Sequence, residues 1–167
     1  MSTTIFFLIQ FAILAYALVG GVFLAFSDFV MRSLALTSGA AGVQAMQSIN
    51  REVFRWIFMV LFLGLAPVSL VIAGYGGWVL SGQPGTLMLI AGLTDFVGCF
   101  GVTVFFNVPM NEALASMDAQ SDATHTYWTE TYLPRWTFWN SVRTAACAVS
   151  AALLLFALLW ANQIQSA

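Results

Sequence analysis

The sequence predicts an all-α fold: a four-helix transmembrane bundle with short helices in its two long loops. Three observations carry this. Of 167 residues, 60% are hydrophobic and only 7% are charged, where a soluble domain carries roughly 25% charge. A domain this small has too much exterior to hide so much apolar surface from water. The apolar residues also gather into four runs long enough to cross a hydrocarbon core, which takes about 20 residues of helix. Backbone groups in lipid must bond within their own segment, so the runs are helices rather than strands. A soluble enzyme, a disordered tail and a nucleic-acid binder are excluded, and the length suits one membrane domain, 1–167.

The first span runs from Ile5 to about Phe26 (5–26) and contains no charge. Met1-Ser2-Thr3-Thr4 has no positive region and the run is long, so it reads as a retained span rather than a cleaved signal. The second span covers 53–80, with Pro67 expected to kink it. The third covers 86–108 and the fourth 140–161. Ser81-Gly82-Gln83-Pro84-Gly85 is a tight turn, so the second and third spans form an antiparallel hairpin. The connections 27–52 and 109–139 are long and polar, yet keep helical periodicity. Val43, Met46, Asn50 and Val53 share a face, which starts the second helix near Ser38, outside the bilayer. In the other loop Trp128 and Tyr132 stand one turn apart. Pro109 is expected to end the third helix, and Pro134 suits the first turn of the fourth.

The net charge is −2, and there is no lysine. All the basic residues are arginines (Arg32, Arg51, Arg55, Arg135 and Arg143) and all fall in or beside the long loops. The positive-inside rule places those loops in the cytoplasm and both termini on the outer side of an integral, multi-pass membrane protein. No basic run offers a nucleic-acid partner; the lipid bilayer is the one partner the composition demands. Cys99 and Cys147 lie in apolar stretches with neither a CxxC pattern nor zinc spacing, and read as buried, inert thiols. Gly20, Gly21, Gly64, Gly98 and Gly101 read as points of close helix packing. Asp95 is the one acid well inside a span, costly unless hydrogen-bonded, with Thr94, Thr103 or Tyr16 as candidate partners.

A short internal repeat is visible. Ser27-Asp28-Phe29-Val30-Met31, a loop and Asn50-Arg51 parallel Phe106-Asn107-Val108-Pro109-Met110, a loop and Asn140-Ser141-Val142-Arg143. A parallel repeat would bring the two Asn-Arg corners together at the cytoplasmic mouth of the bundle. The second loop and its flanks concentrate polar and aromatic groups there: Asn107, Asn111, Glu112, His125, Trp128, Tyr132, Trp136, Trp139, Asn140 and Arg143.

The strings Asn107-Val108-Pro109-Met110-Asn111-Glu112-Ala113-Leu114 and Trp136-Thr137-Phe138-Trp139-Asn140-Ser141-Val142-Arg143, with Gln47-Ser48-Ile49-Asn50 before the second span, resemble the anthrone oxygenase family of membrane proteins. The resemblance implies oxidation of an anthrone to an anthraquinone by molecular oxygen without metal or flavin. Such chemistry needs a base at the acidic methylene, donors for the enolate oxygen and a flat apolar slot. On that implication His125 or Glu112 is the candidate base. Arg143 and Arg51 are the donors, helped by Asn50, Asn107, Asn111 and Asn140. Tyr132, Trp136 and Trp139 form the slot for a small aromatic or quinone-like ligand. No cofactor and no metal are expected, since a lone histidine fits few metal sites.

Each residue has a plainer reading. Arginines at the membrane edge snorkel, the aromatics can be an interfacial belt, the asparagines can cap helices or bond between them, and a loop histidine is usually solvated. The competing function is a non-catalytic accessory subunit that holds a quinone, a lipid or a neighbour in a larger complex or homo-oligomer.

Overall fold

Each of the four apolar runs forms a helix that is long and apolar enough to cross a membrane. The computed structural model describes residues 2–55 and 57–166, with side chains described to residue 161. Met1 in the N-terminal segment and Trp56 in the second predicted span lie outside the described residues.

Helix α1 (Thr3–Ala35) starts on Ser2, whose hydroxyl accepts the Ile5 N–H at 3.4 Å. It does not stop near Phe26. It passes through a π turn at Phe26–Val30 and ends nine residues later than expected. Ser27 and Asp28 interrupt the apolar run but not the helical backbone bonding. Helix α2 (Ala41–Glu52) is separate from the second span, which corrects the continuous helix expected from Ser38. Its inner face, Val43 and Met46, packs against Met31, Leu114 and Trp128. A 3-10 turn at Val53–Arg55 follows.

Helix α3 (Ile57–Trp78) continues through Pro67. Gly82, with φ of 81°, makes the sharp turn into α4 (Gln83–Ala115). Here Pro109 does not end the helix. Two π turns, Phe96–Gly101 and Thr103–Asn107, precede it, and the wider turn leaves room for its ring. Helix α5 begins at Asp122, passes through a π turn at Trp128–Tyr132, and runs past Ala161. Pro134 directly follows that π turn and so lies inside α5, not in its first turn as expected, because the helix already begins at Asp122.

Around the bundle α1 packs on α5 and α3, and α4 packs on α3 and α5. In lipid, close packing and interhelical hydrogen bonds hold helices together, because lipid is as apolar as leucine. The closest approaches are at glycines. A Cβ on Gly92 would meet the Ala73 backbone N at 2.9 Å, and one on Gly20 would meet Cys147 Cβ at 2.9 Å. Gly98 is similarly tight against Ala146, but Gly21 and Gly64 face open space and Gly101 makes only ordinary contact, so those three are not packing points.

Asp95 is satisfied by groups other than those expected. The Ser69 hydroxyl lies 2.8 Å from its Oδ2 and Cys147 Sγ lies 3.8 Å from Oδ1, while Tyr16 meets Ser69 at 2.7 Å, one step removed. A second packed cluster closes the loop end of the bundle, built from Met31, Met46, Leu114, Trp128, Tyr132 and Trp136. Gln47 ties α2 into it, donating from Nε2 to the carbonyls of Leu114 and Met117 at 2.8 and 3.0 Å. Leu114 lies in the last turn of α4 and Met117 just beyond its end, so the amide fastens α2 to the point where α4 stops.

Candidate functional site

Three of the π turns fall at the loop end of the bundle, in α1, α4 and α5. A π turn adds one residue to a helical turn, and so re-aims every side chain beyond it. Between these turns and the start of α3 lies a cavity of about 100 Å³, open on one side. That is several times what one water needs, but less than a whole drug-sized pocket. A multi-ring ligand would therefore place one edge inside and the rest in the mouth. Its walls are apolar, with Phe23 and Phe26 from α1, Met46 from α2 and Phe58 from α3. The polar groups that line it are Asn50, Thr103, Asn111 and Arg143.

Arg143 is the centre of the site. It lies within α5, 5% exposed. Its Nη2 donates to Asn140 Oδ1 at 2.6 Å, and its Nη1 donates to Thr103 Oγ1 at 3.2 Å. The planar guanidinium rests over the Phe23 ring, 4.1 Å from its centroid, and 5.3 Å from that of Trp136. Among the described residues no carboxylate pairs with it; the one ion pair is Arg55–Glu52, on the surface. Its Nε–H is buried and has no partner. A guanidinium is always protonated, so the site holds a fixed positive charge with a free donor. Buried polar atoms of that kind are normally met by water or ligand.

Asn140, three residues before Arg143 and on the same helical face, holds the guanidinium while its own Nδ2 donates to Phe23 O and Ser27 Oγ, both at 2.6 Å. The residue thus couples α5 to α1 and positions Arg143 in the same act. Asn111 Oδ1 accepts from Tyr132 Oη at 2.7 Å and from Trp136 Nε1 at 2.8 Å, and Asn50 Nδ2 donates to Tyr132 Oη at 3.3 Å. These bonds fix the flat rings. Trp128, Tyr132 and Trp136 recur every four residues on one face of α5 and stack, with centroids 5.3 and 6.1 Å apart. Asn107 is fully buried, bonded from Nδ2 to Trp136 O at 3.3 Å, with Oδ1 unpartnered.

The structure therefore brings together Asn50, Asn107, Asn111, Tyr132, Trp136, Asn140 and Arg143. It does not bring the rest of the predicted set to them. Arg51 is exposed and donates to Ser48 on its own helix. Glu112 and His125 are exposed and away from the cavity lining. Trp139 stacks on Phe106, 3.7 Å between centroids, on the outside of the bundle. The two Asn-Arg corners do not meet as equals, because only the second is buried. Thr103 and Phe23, which seat the guanidinium, were not legible as site residues. The one available signal was the spacing of Asn140 and Arg143, which puts both on one face of a helix.

Among the described residues one group of three side chains has metal-ligating atoms gathered together: Asp95, Cys99 and Cys147, deeper in the bundle than the cavity. The family model described as Anthrone oxygenase matches residues 54–153. That stretch contains α3, α4 and most of α5, including Asn107, Asn111, Asn140 and Arg143. No curated protein and no solved structure matches the chain.

Proposed function

The chain belongs to the anthrone oxygenase family, and from that premise we propose that the Arg143 cavity binds an anthrone-like polycyclic or phenolic substrate and promotes its oxidation by molecular oxygen. The single observation that supports this best is a buried, carboxylate-free guanidinium with an unpartnered Nε–H lining an aromatic cavity.

The substrate enters edge first, with its oxygen toward Arg143 and its rings against Phe26, Phe58 and Trp136. Its enol form loses the hydroxyl proton to water at the open mouth, since no carboxylate or imidazole lines the cavity. Arg143 binds the resulting oxyanion. One charge-assisted bond in a dry site contributes about 1.5–3 kcal/mol, which makes the bound enol more acidic by roughly one to two pKa units. The electron-rich anion passes one electron to O2, and the two radicals combine at the former methylene carbon. The peroxide takes up a proton and loses water, leaving a carbonyl. The sum is CH2 plus O2 giving C=O plus H2O, so no external reductant and no cofactor enters this reaction. Four of the arginines sit exposed in or beside the long loops, so the positive-inside rule turns the mouth to the cytoplasm.

The test is oxygen uptake by the purified protein in detergent with an anthrone as substrate, beside Arg143→Ala and Arg143→Lys. Uptake above the autoxidation rate, lost in the alanine variant and only partly restored by lysine, is expected, because a point charge lacks the planar fork. Uptake equal to the blank in folded wild-type protein would sink the oxygenase reading. The apolar cavity would then point to the second reading, a subunit that holds a quinone or lipid, seen as binding without turnover.

A further inference from the structure

The interior of the bundle holds a polar cluster that the oxygenase chemistry does not use. Cys99 on α4 and Cys147 on α5 face each other, with Sγ atoms 3.5 Å apart. Asp95, one turn before Cys99, places Oδ1 3.8 Å from Cys147 Sγ. All three side chains are buried, and their donor atoms lie within 4.8 Å of one another. From these contacts we propose that Asp95, Cys99 and Cys147 form a binding site for a thiophilic divalent ion of the zinc class, set in the bundle core beneath the Arg143 cavity.

Geometry, the surrounding shell and charge each support the assignment. A tetrahedral ion with bonds of about 2.3 Å to sulfur and about 2.1 Å to oxygen holds two sulfurs about 3.8 Å apart, and a sulfur and an oxygen about 3.6 Å apart. The Cys99–Cys147 and Asp95–Cys147 separations of 3.5 and 3.8 Å lie within about 0.3 Å of those values. The ligands come from two helices, so the ion would pin α4 to α5 with little motion of either.

The second is the surrounding shell. The far oxygen of Asp95 faces the Ser69 hydroxyl at 2.8 Å, and Ser69 meets the Tyr16 hydroxyl at 2.7 Å. A ligating carboxylate is normally oriented by such an outer partner. Gly20 lets α1 close over Cys147, since a Cβ there would meet Cys147 Cβ at 2.9 Å. The cluster is thereby sealed on the α1 side.

The third is charge. Two thiolates and a carboxylate carry −3, and a divalent ion leaves −1. Arg143 lies one turn before Cys147, an axial rise of about 6 Å, and it is buried with no carboxylate partner among the described residues. The five charges then sum to zero. A monovalent ion on the same ligands would leave −1 in the apolar layer, and an uncompensated buried charge is expensive.

The experiment uses tag-free, chelator-stripped wild-type protein in detergent with a phosphine reductant, and no anthrone. Cobalt(II) is titrated in and read by its thiolate-to-metal charge-transfer band and its tetrahedral d–d bands. The expected result is one ion per chain, displaced by zinc(II), and protection of both cysteines from maleimide by zinc. Cys99→Ser and Cys147→Ser, which keep a hydrogen-bonding group of similar size, should each lose the charge-transfer band or weaken binding at least a hundredfold. Asp95→Asn should weaken it about tenfold and shift the d–d bands. A folded wild-type protein that shows no thiolate–cobalt band overturns the proposal, as does cobalt binding of unchanged affinity in the double serine variant. Either outcome is independent of the oxygen-uptake result, so the two readings fail separately.

Discussion

Asn140→Ala tests whether the site is held as described. The amide makes three short bonds: its Oδ1 accepts from Arg143 Nη2, and its Nδ2 donates to Phe23 O and Ser27 Oγ, each at 2.6 Å. The first involves a charge and contributes about 1.5–3 kcal/mol, and the other two about 0.5–1.5 kcal/mol each. Truncation also leaves the Phe23 carbonyl and the guanidinium short of partners in a buried site. The expected loss is about 3–5 kcal/mol of stability, accompanied by a lower turnover because Arg143 then keeps only its side-chain bond to Thr103 at 3.2 Å. Denaturant unfolding in micelles, followed by far-ultraviolet circular dichroism, measures the first, and oxygen uptake the second. A double-mutant cycle with Ser27→Ala isolates the link to α1, with an expected coupling of about 0.5–1.5 kcal/mol. An Asn140→Ala protein within about 0.5 kcal/mol of wild type, with no coupling to Ser27, would refute the reasoning.

Gln47→Ala removes two bonds to the end of α4; a local cost of about 1–2 kcal/mol should appear as faster amide exchange near residues 114–118, with little change elsewhere. Gly92→Ala drives a methyl against the Ala73 backbone and should cost about 1–3 kcal/mol in the same unfolding assay, whereas Gly21→Ala, facing open space, should be neutral. His125→Ala and Glu112→Gln should keep oxygen uptake within about twofold of wild type, because an exposed group off the cavity wall forfeits well under 1 kcal/mol of transition-state stabilisation; a hundredfold loss in either would return the base to that residue.

Much of the architecture was legible because lipid leaves a chain few choices. Runs such as Ile5 to Phe26 must be helical, and Ser81 to Gly85 must turn, whatever surrounds them. Helix ends were harder. Ser27, Asp28 and Pro109 look like stops, yet the helices run on, because π turns absorb the local misfit and tertiary packing of the loops supports the extra length. Of the site, Asn140 and Arg143 were legible from the polar and aromatic residues concentrated at that end of the fourth span and from the string Trp136 to Arg143 that carries the family resemblance. Arg51, His125, Glu112 and Trp139 have the right chemistry, but nothing in a linear pattern says which way a loop residue points. Cys99 and Cys147 show the opposite failure. Each looks inert alone, and no local spacing joins them, since their sulfurs meet only through the packing of α4 on α5.

By itself the sequence determined that this protein is helical, that it has four spans, and that its polar chemistry gathers at the loop end. Those properties follow from composition, run length and the need to satisfy backbone bonds within each segment. Only the tertiary structure decided which arginine is buried, which aromatics stack inside rather than face lipid, and that a carboxyl and two thiols from separate helices share one small space. Those depend on helix rotation and on the π turns that shift it, and rotation is set by packing between segments rather than within them.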